Sequence, residues 1–121
     1  MAQETIPSSL PTPEETFARH ARALRSERLD DLVTTFHNDA TLIAHKKVYR
    51  GLDGVRQVFM RLLSDLPQAQ WEVERVWADD VLYVEWKARS AAGHVDAGTD
   101  TLIFRDGNIQ VQTIHYTLQR T

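Results

Sequence analysis

The 121-residue sequence contains no cysteine, and its 14 lysine and arginine residues are outnumbered by 17 aspartate and glutamate residues. The absence of cysteine excludes a disulfide scaffold, a thiolate metal site and a cysteine nucleophile. The net charge of −3 and the lack of a basic cluster argue against a nucleic-acid partner. No apolar run approaches the roughly 18 residues of a membrane span, and residues 1–13 lack the apolar core of a signal peptide. We therefore expect a cytoplasmic protein that has no membrane partner.

Sequence motifs for cofactors are also missing. There is no G-x-G-x-x-G, phosphate-binding loop or G-x-S-x-G sequence, so nucleotide binding and serine hydrolysis lack a motif. The five histidines are scattered, without an H-E-x-x-H or H-x-H pair, which disfavours a metal site. We expect no cofactor and no metal.

Helix signals dominate the first half of the chain. Thr12 can cap a helix that has Pro13 at its first position and Glu15 three residues after the cap. The apolar residues that follow recur at intervals of three to four, which is typical of helices with one buried face. The predicted helices are 14–26, a short one between Leu29 and Phe36, and one capped by Asp53 and stopped by Pro67.

From Trp71 onward the apolar period changes from about 3.6 to 2, which predicts strands. The predicted strands are 40–44, 47–50, 71–78, 81–90, 94–105 and 109–119. Helices that precede an antiparallel meander indicate an α+β fold. The sequence predicts one domain at 12–121, preceded by a flexible segment at 1–11.

The turn before the last predicted strand places a carboxyl group on an apolar face. Asp106-Gly107 predicts a two-residue hairpin turn. Because side chains alternate between the faces of a strand, counting back from this turn places Asp100 beside Thr113 and near His115. The other side chains of that face are mostly apolar, so we expect Asp100 to lie in apolar surroundings.

The preceding turn allows two registers. A three-residue loop at 91–93 places Trp86 on the face of Asp100, whereas a two-residue loop turns charged side chains such as Glu85 and Lys87 inward. Burying unpaired charges costs several kcal/mol each in the worst case. The three-residue loop is therefore predicted.

The opposite face of the predicted sheet mixes charged and amide side chains with Tyr83, Ile114 and Tyr116. This composition is closer to that of a subunit interface than to that of a fully solvated surface. We expect a homodimer that forms through this face.

Three blocks follow one another in the chain: residues 29–42 (LDDLVTTFHNDATL), 49–55 (YRGLDGV) and 98–109 (GTDTLIFRDGNI). In order and spacing they resemble the nuclear transport factor 2-like (NTF2-like) superfamily, which includes the SnoaL-like cyclases and ketosteroid isomerase. The resemblance covers roughly residues 12–119. It implies a cone of three N-terminal helices packed on a curved mixed or antiparallel sheet, with a pocket at the open end. Dimers are common in this superfamily.

The resemblance extends to single positions. Ketosteroid isomerases use a tyrosine in the first helix, a carboxylate base after the second helix and an aspartic acid on the penultimate strand, where this chain has His20, Ala44 and Asp100. Ala44 cannot transfer a proton, so steroid isomerisation in that form is not implied. Epoxide hydrolases of this fold have an arginine where this chain has Gly98. The Asp–His machinery of the dehydratases stays open.

The candidate catalytic residues are Asp100, His20 and His115. A carboxyl group on an apolar face must be hydrogen-bonded, paired or protonated, and such groups concentrate at functional sites. A histidine side chain titrates near pH 6.5 and can act as general acid or base. The structural alternatives are a buried aspartate satisfied by Thr113, a helix-edge histidine, and a histidine at the solvated end of the sheet. The candidate ligand-binding residues are Phe17, Phe59, Trp86, Leu102 and Thr113.

Two functions remain open from the sequence. The first is a cofactor-independent isomerase or lyase that moves a proton next to a carbonyl on a small apolar or aromatic molecule. The alternative is a non-catalytic module that binds a hydrophobic metabolite, with Asp100 as its hydrogen-bonding anchor. A purely structural dimerisation domain gives no reason for an acid on the apolar face.

Overall fold

A computed structural model describes residues 10–121 and contains three helices and seven strands within that range. The predicted flexible segment 1–11 falls on residues outside the described range, except for Leu10 and Pro11. Within residues 10–121, no helix has both the length and the apolar character needed to cross a membrane. The elements are α1 Pro13–Arg25, α2 Leu29–Val33, β1 Phe36–Ala44, β2 Lys47–Arg50, α3 Gly51–Asp65, β3 Gln70–Ala78, β4 Val81–Ser90, β5 Gly93–Arg105, β6 Asn108–His115 and β7 Gln119–Arg120.

The strands form one curved mixed sheet in the order β2-β1-β6-β5-β4-β3, and β7 pairs with the start of β5. The β1–β6 pair is parallel, and the other pairs are antiparallel. This arrangement confirms the predicted α+β cone with three helices. Four boundaries differ from the prediction by more than one residue. The second helix ends at Val33 rather than reaching Phe36, and β1 begins at Phe36 rather than at residue 40. α3 begins at Gly51 rather than after Asp53, and the last long strand ends at His115 rather than at Gln119.

The predicted capping box starts α1. The Glu15 backbone N–H donates to Thr12 Oγ1 at 3.1 Å, and the Thr12 N–H donates to Glu15 Oε1 at 2.9 Å. These two bonds satisfy donors that a helix start would otherwise leave unpaired. The buried face of α1 then turns Phe17 and His20 toward the sheet.

The core lies between α1 and α3 on one side and the inner face of the sheet on the other. Burial of each large apolar side chain contributes about 1.5–3 kcal/mol relative to exposure. The largest apolar side chains that are almost completely buried are Phe59, Leu32, Leu42, Leu66, Leu82, Leu102, Ile109, Val55 and Val95.

The side chains of β4 and β5 lie on the predicted faces of the sheet, but the loop between these strands is not the predicted one. Ser90 pairs with Gly93, so the loop has two residues and the predicted three-residue loop at 91–93 is wrong. A β-bulge, in which Asp96 and Ala97 of β5 stand opposite a single residue of β4, then shifts the register by one. The charged side chains of β4 point outward along the whole strand, as predicted, because turning them inward would bury unpaired charges.

The predicted register between β5 and β6 is wrong beyond the turn. Phe104 pairs with Ile109 as expected, but Ile103 pairs with Val111, so Gln110 is an extra residue in β6. The Gln110 side chain accepts from the Arg105 guanidinium at 2.6 Å and donates to the Asp39 backbone oxygen at 3.2 Å, which stabilises this bulge.

The bulge reverses the faces of the rest of β6. Leu102 pairs with Gln112, and Asp100 pairs with Ile114. Gln112 and Ile114 are therefore buried on the inner face, whereas Thr113 and His115 lie on the outer face, opposite to the prediction.

Candidate functional site

A small cavity lies between α1, α3 and the inner face of strands β3 to β5, and its volume is about 50 Å³. It is mostly apolar, and its polar groups are few. A water molecule needs roughly 10–15 Å³ measured in this way, so the cavity has room for a few atoms rather than for a drug-sized ligand. Its walls are Phe17, His20, Ala21, Leu24, Arg25, Phe59, Leu62, Trp71, Val73, Val84, Trp86 and Asp100.

Asp100 is a carboxyl group held by two neutral donors. The Trp86 indole Nε1–H donates to Asp100 Oδ1 at 3.0 Å, and the Gln112 Nε2–H donates to Oδ2 at 3.0 Å. No ion pair within residues 10–121 includes Asp100. Burial raises the pKa of Asp100 from 3.8 to about 7, and the two hydrogen bonds, which favour the charged form, offset only part of this effect.

Gly98 positions the indole ring that contacts this carboxyl group. A Cβ atom at Gly98 would lie 2.2 Å from Trp86 Cε2, so any larger residue would displace the ring. Trp71 packs against the ring at a centroid distance of 5.3 Å. Gly98 thus allows Trp86 to lie directly against the strand.

His20 is buried in the cavity wall among aromatic rings. Its centroid lies 5.8 Å from that of Phe17 and 5.5 Å from that of Phe59. Burial lowers the pKa of His20 from 6.5 to about 4, so the imidazole is neutral at neutral pH.

The hydrogen bonds of Thr35 determine the tautomer of His20. Thr35 Oγ1 lies 2.7 Å from the Leu32 backbone oxygen and 3.2 Å from His20 Nδ1. Because the single hydroxyl hydrogen is donated to the carbonyl, Thr35 accepts from the Nδ1–H of His20. Nε2 is therefore the unprotonated nitrogen, and it can accept a hydrogen bond from a ligand.

Gln112 is the site residue that the sequence prediction missed, because the prediction placed it on the polar outer face. Its side chain is 1% exposed, and its Nε2–H donates to Asp100. Its other amide atom, Oε1, is buried and has no hydrogen-bond partner among residues 10–121. Only the bulge at Gln110 brings this amide to the carboxyl group, and an isolated bulge has no clear signal in one sequence.

Five of the eight predicted site residues lie together in this cavity. The five that line the cavity are Asp100, His20, Phe17, Phe59 and Trp86. Leu102 is fully buried and does not line the cavity. Thr113 and His115 lie on the outer face, and the backbone of His115 pairs with Thr99, so His115 does not share a face with Asp100. Among residues 10–121, no group of three or more histidine or acidic side chains could hold a metal ion.

Two titratable groups of different character thus share one apolar cavity. The pKa of Asp100, about 7, lets its carboxyl group bind or release a proton near neutral pH. The pKa of His20, about 4, keeps its imidazole neutral at that pH. A group that titrates near the working pH is suited to both donating and accepting a proton.

Several solved structures are similar to this chain in fold. The NTF2-like protein of unknown function from Cytophaga hutchinsonii matches with a TM-score of 0.72 at 9% identity, over 97% of this chain and 95% of that chain. The corresponding protein from Exiguobacterium sp. matches with a TM-score of 0.68 at 20% identity, over 84% and 98%. The epoxide hydrolase/cyclase-like enzyme SalBIII, studied for its role in pyran ring formation in the polyether salinomycin, matches with a TM-score of 0.73 at 17% identity, over 90% and 95%.

Sequence comparison assigns the family directly. No curated protein matches the chain significantly. The model of the SnoaL-like domain matches residues 17–112, which is most of the chain and includes every residue of the cavity wall. The chain therefore belongs to the SnoaL-like domain family, within the NTF2-like superfamily.

Proposed function

We propose that the protein is a cofactor-independent isomerase or lyase that moves a proton next to a carbonyl group on a small substrate, with Asp100 as the residue that transfers the proton. The observation that supports this role best is the Asp100 carboxyl group, which lines an apolar cavity, has no cationic partner among the described residues and has a pKa raised to about 7. A carboxylate in this state is a far stronger base than one in water.

His20 has a complementary part in this proposal. Its Nε2 lone pair accepts a hydrogen bond from a hydroxyl group of the substrate, because Nδ1–H is already donated to Thr35. This contact would orient a β-hydroxy carbonyl compound or the enol form of a ketone. With a pKa of about 4, the imidazole is too weakly basic to compete with Asp100 for the transferred proton.

The size of the cavity limits the substrate. A volume of about 50 Å³ encloses a few carbon atoms against the aromatic walls, and the remainder of a ligand would lie at the mouth. We therefore favour a short aliphatic or monocyclic substrate over a polycyclic one.

Hydrogen exchange tests the proposal without knowledge of the natural substrate. Butan-2-one and 4-hydroxybutan-2-one are incubated with the protein in D2O, and deuterium incorporation next to the carbonyl is followed by NMR. We expect incorporation to be at least about 100-fold slower with Asp100→Asn than with the unchanged protein. Because the ionised carboxylate is the base, the rate should rise with pH up to about 7 and then level off.

Asp96→Asn is the matched control, since Asp96 lies on the same strand but is exposed, and its carboxylate lies 3.6 Å from the His94 Nε2 atom. It should exchange at the rate of the unchanged protein. Equal rates with and without the Asp100 carboxyl group would contradict the proposal.

A non-catalytic binding role is the second candidate function, and the weak basicity of His20 favours it. In that case Asp100→Asn would keep the affinity for a small ligand, and no protein-dependent exchange would occur in any variant. If the protein is an enzyme, Asp100→Asn should abolish deuterium exchange while ligand binding persists.

We also propose that the outer face of the sheet pairs with a second copy of the chain. The predicted outer-face placement of Ile114 and Tyr116 is wrong, because Ile114 is buried on the inner face and Tyr116 packs against the core. Exposed apolar side chains on neighbouring strands replace them: Ile43, Val81, Tyr83 and Ile103. Charges of both signs accompany this patch, so a twofold arrangement can set opposite charges against each other.

Sedimentation tests the homodimer. We expect Ile103→Glu to convert a dimer into a 13.9 kDa monomer, because it would bury a charge in the interface. Met60→Glu, at an exposed position of α3, should stay dimeric. A monomeric unchanged protein would refute this assembly.

A further inference from the structure

One cation lies where the cavity meets solvent. Arg25 ends α1 and lines the cavity, yet the residue is exposed, so its guanidinium group is at the mouth. Among residues 10–121, no carboxylate forms an ion pair with Arg25. The mouth therefore carries a positive charge, although the chain as a whole has a net charge of −3.

A second guanidinium group adjoins the same wall. The Arg75 side chain lies over the ring of Phe17, with Cζ 5.8 Å from the ring centroid. Arg75 belongs to the inner-face register of β3, because it pairs with Val84, which lines the cavity. Both cations thus adjoin a cavity whose interior contains only apolar groups and the two titratable residues Asp100 and His20.

A simpler explanation of Arg25 is that a cation near the end of a helix stabilises the helix dipole. Arg22 lies in the same last turn and serves that purpose equally, but it faces a separate groove formed with residues of α2. Substituting each arginine in turn therefore distinguishes an effect on the stability of the helix from an effect on ligand binding.

We propose that the substrate is a small carboxylate, whose apolar end enters the cavity and whose carboxylate group accepts hydrogen bonds from Arg25. The planar guanidinium fork matches a carboxylate in two parallel hydrogen bonds. A short acid of this kind places three or four carbon atoms in the cavity while its charge stays at the mouth. This assignment rests on the proposed function, because it places the ligand in the same cavity as Asp100.

Crotonate and its uncharged analogue crotonamide test the assignment, because they share the same carbon chain and differ in charge. Binding is measured by NMR titration of the full chain, with the Trp86 indole N–H resonance as a reporter at the cavity wall. We expect crotonate to bind about fivefold to tenfold more tightly than crotonamide at low salt. Arg25→Gln should reduce this ratio to near one, whereas Arg22→Gln should leave it unchanged.

Three results would overturn the assignment: equal binding of the two probes, equal loss of the preference in both arginine variants, or no saturable shift with crotonate. None of these measurements requires turnover, so the two proposals can fail separately. A charge preference that depends on Arg25, found without deuterium exchange, would leave this assignment in place and remove the enzymatic role. Exchange that depends on Asp100, found without the charge preference, would do the reverse.

Discussion

Replacing Asp100 with asparagine should stabilise the folded protein at neutral and alkaline pH. The Trp86 indole can still donate to the amide oxygen at position 100, as it does to Asp100 Oδ1. Rotation of the Gln112 amide would then present Oε1, which has no partner in the described part of the chain, to the new amide N–H. The substitution thus keeps the shape of the side chain and its hydrogen bond to Gln112, and it removes a charge from a desolvated place.

The pKa of Asp100 sets the size and the sign of the effect. In the folded state this pKa is raised from 3.8 to about 7 by burial. Between these values the folded protein keeps a proton that the unfolded chain releases, so the contribution of Asp100 to stability falls as pH rises from about 4 to about 7. Three pKa units at about 1.4 kcal/mol each give a cost of about 4 kcal/mol above pH 7.

Urea unfolding, followed by tryptophan fluorescence at several pH values, measures this cost. The difference in unfolding free energy between Asp100→Asn and the unchanged protein should be near zero at pH 4 and grow to about 2–4 kcal/mol at pH 8. Asp96→Asn, at an exposed position of the same strand, should change stability by less than about 1 kcal/mol at either pH. A variant that is less stable than the unchanged protein at pH 8 would refute the inference that burial of the ionised Asp100 carboxyl group destabilises the folded protein.

Three further predictions concern the surroundings of Asp100. As pH falls from 6.5 to about 4, the unfolded chain binds a proton that the buried His20 does not, so the unchanged protein should lose up to about 3 kcal/mol of stability. His20→Phe should remove this loss. Parallel pH profiles of the two proteins in urea unfolding would contradict this. ¹⁵N NMR of His20 should show the Nδ1–H tautomer at pH 7, and Thr35→Val should change that signal; an Nε2–H tautomer would contradict the assignment. Gly98→Ala should cost about 1–3 kcal/mol and shift the Trp86 indole resonance, whereas Ala97→Ser at the exposed neighbour should do neither; an unshifted resonance would show that the ring does not depend on Gly98.

The elements that depend on local chemistry could be predicted from the sequence. The capping box fixed the start of α1 because Thr12 and Glu15 act within a single turn. The turn at Asp106-Gly107 was predicted for the same reason, since residues with positive φ are favoured at both of its central positions. The place of Asp100 on the inner face followed from alternation within a single strand.

A strand register that depends on a bulge could be predicted only where the alternative register would bury charged side chains at a large cost in free energy. On β4, the wrong register would bury charges such as Glu85 and Lys87, so the correct faces followed even though the predicted loop was wrong. The loop has only two residues, but the bulge at Asp96 and Ala97 adds one residue to β5. The register beyond the bulge is therefore the one predicted. Electrostatic cost thus determined the faces but not the position of the irregularity that produces them.

On β6 no such penalty exists, and this explains why the site was only partly predicted. Both parities of this strand mix apolar and polar residues: one presents Val111 and His115, and the other presents Gln112 and Ile114. The hydrogen bonds of Gln110 with Arg105 and Asp39 stabilise the second parity, and those partners lie on other strands. The amide that contacts the catalytic candidate is therefore specified by contacts across the sheet. A Gln110→Ala variant removes these contacts. It should weaken the hydrogen bond between Gln112 and Asp100 while the overall fold stays intact.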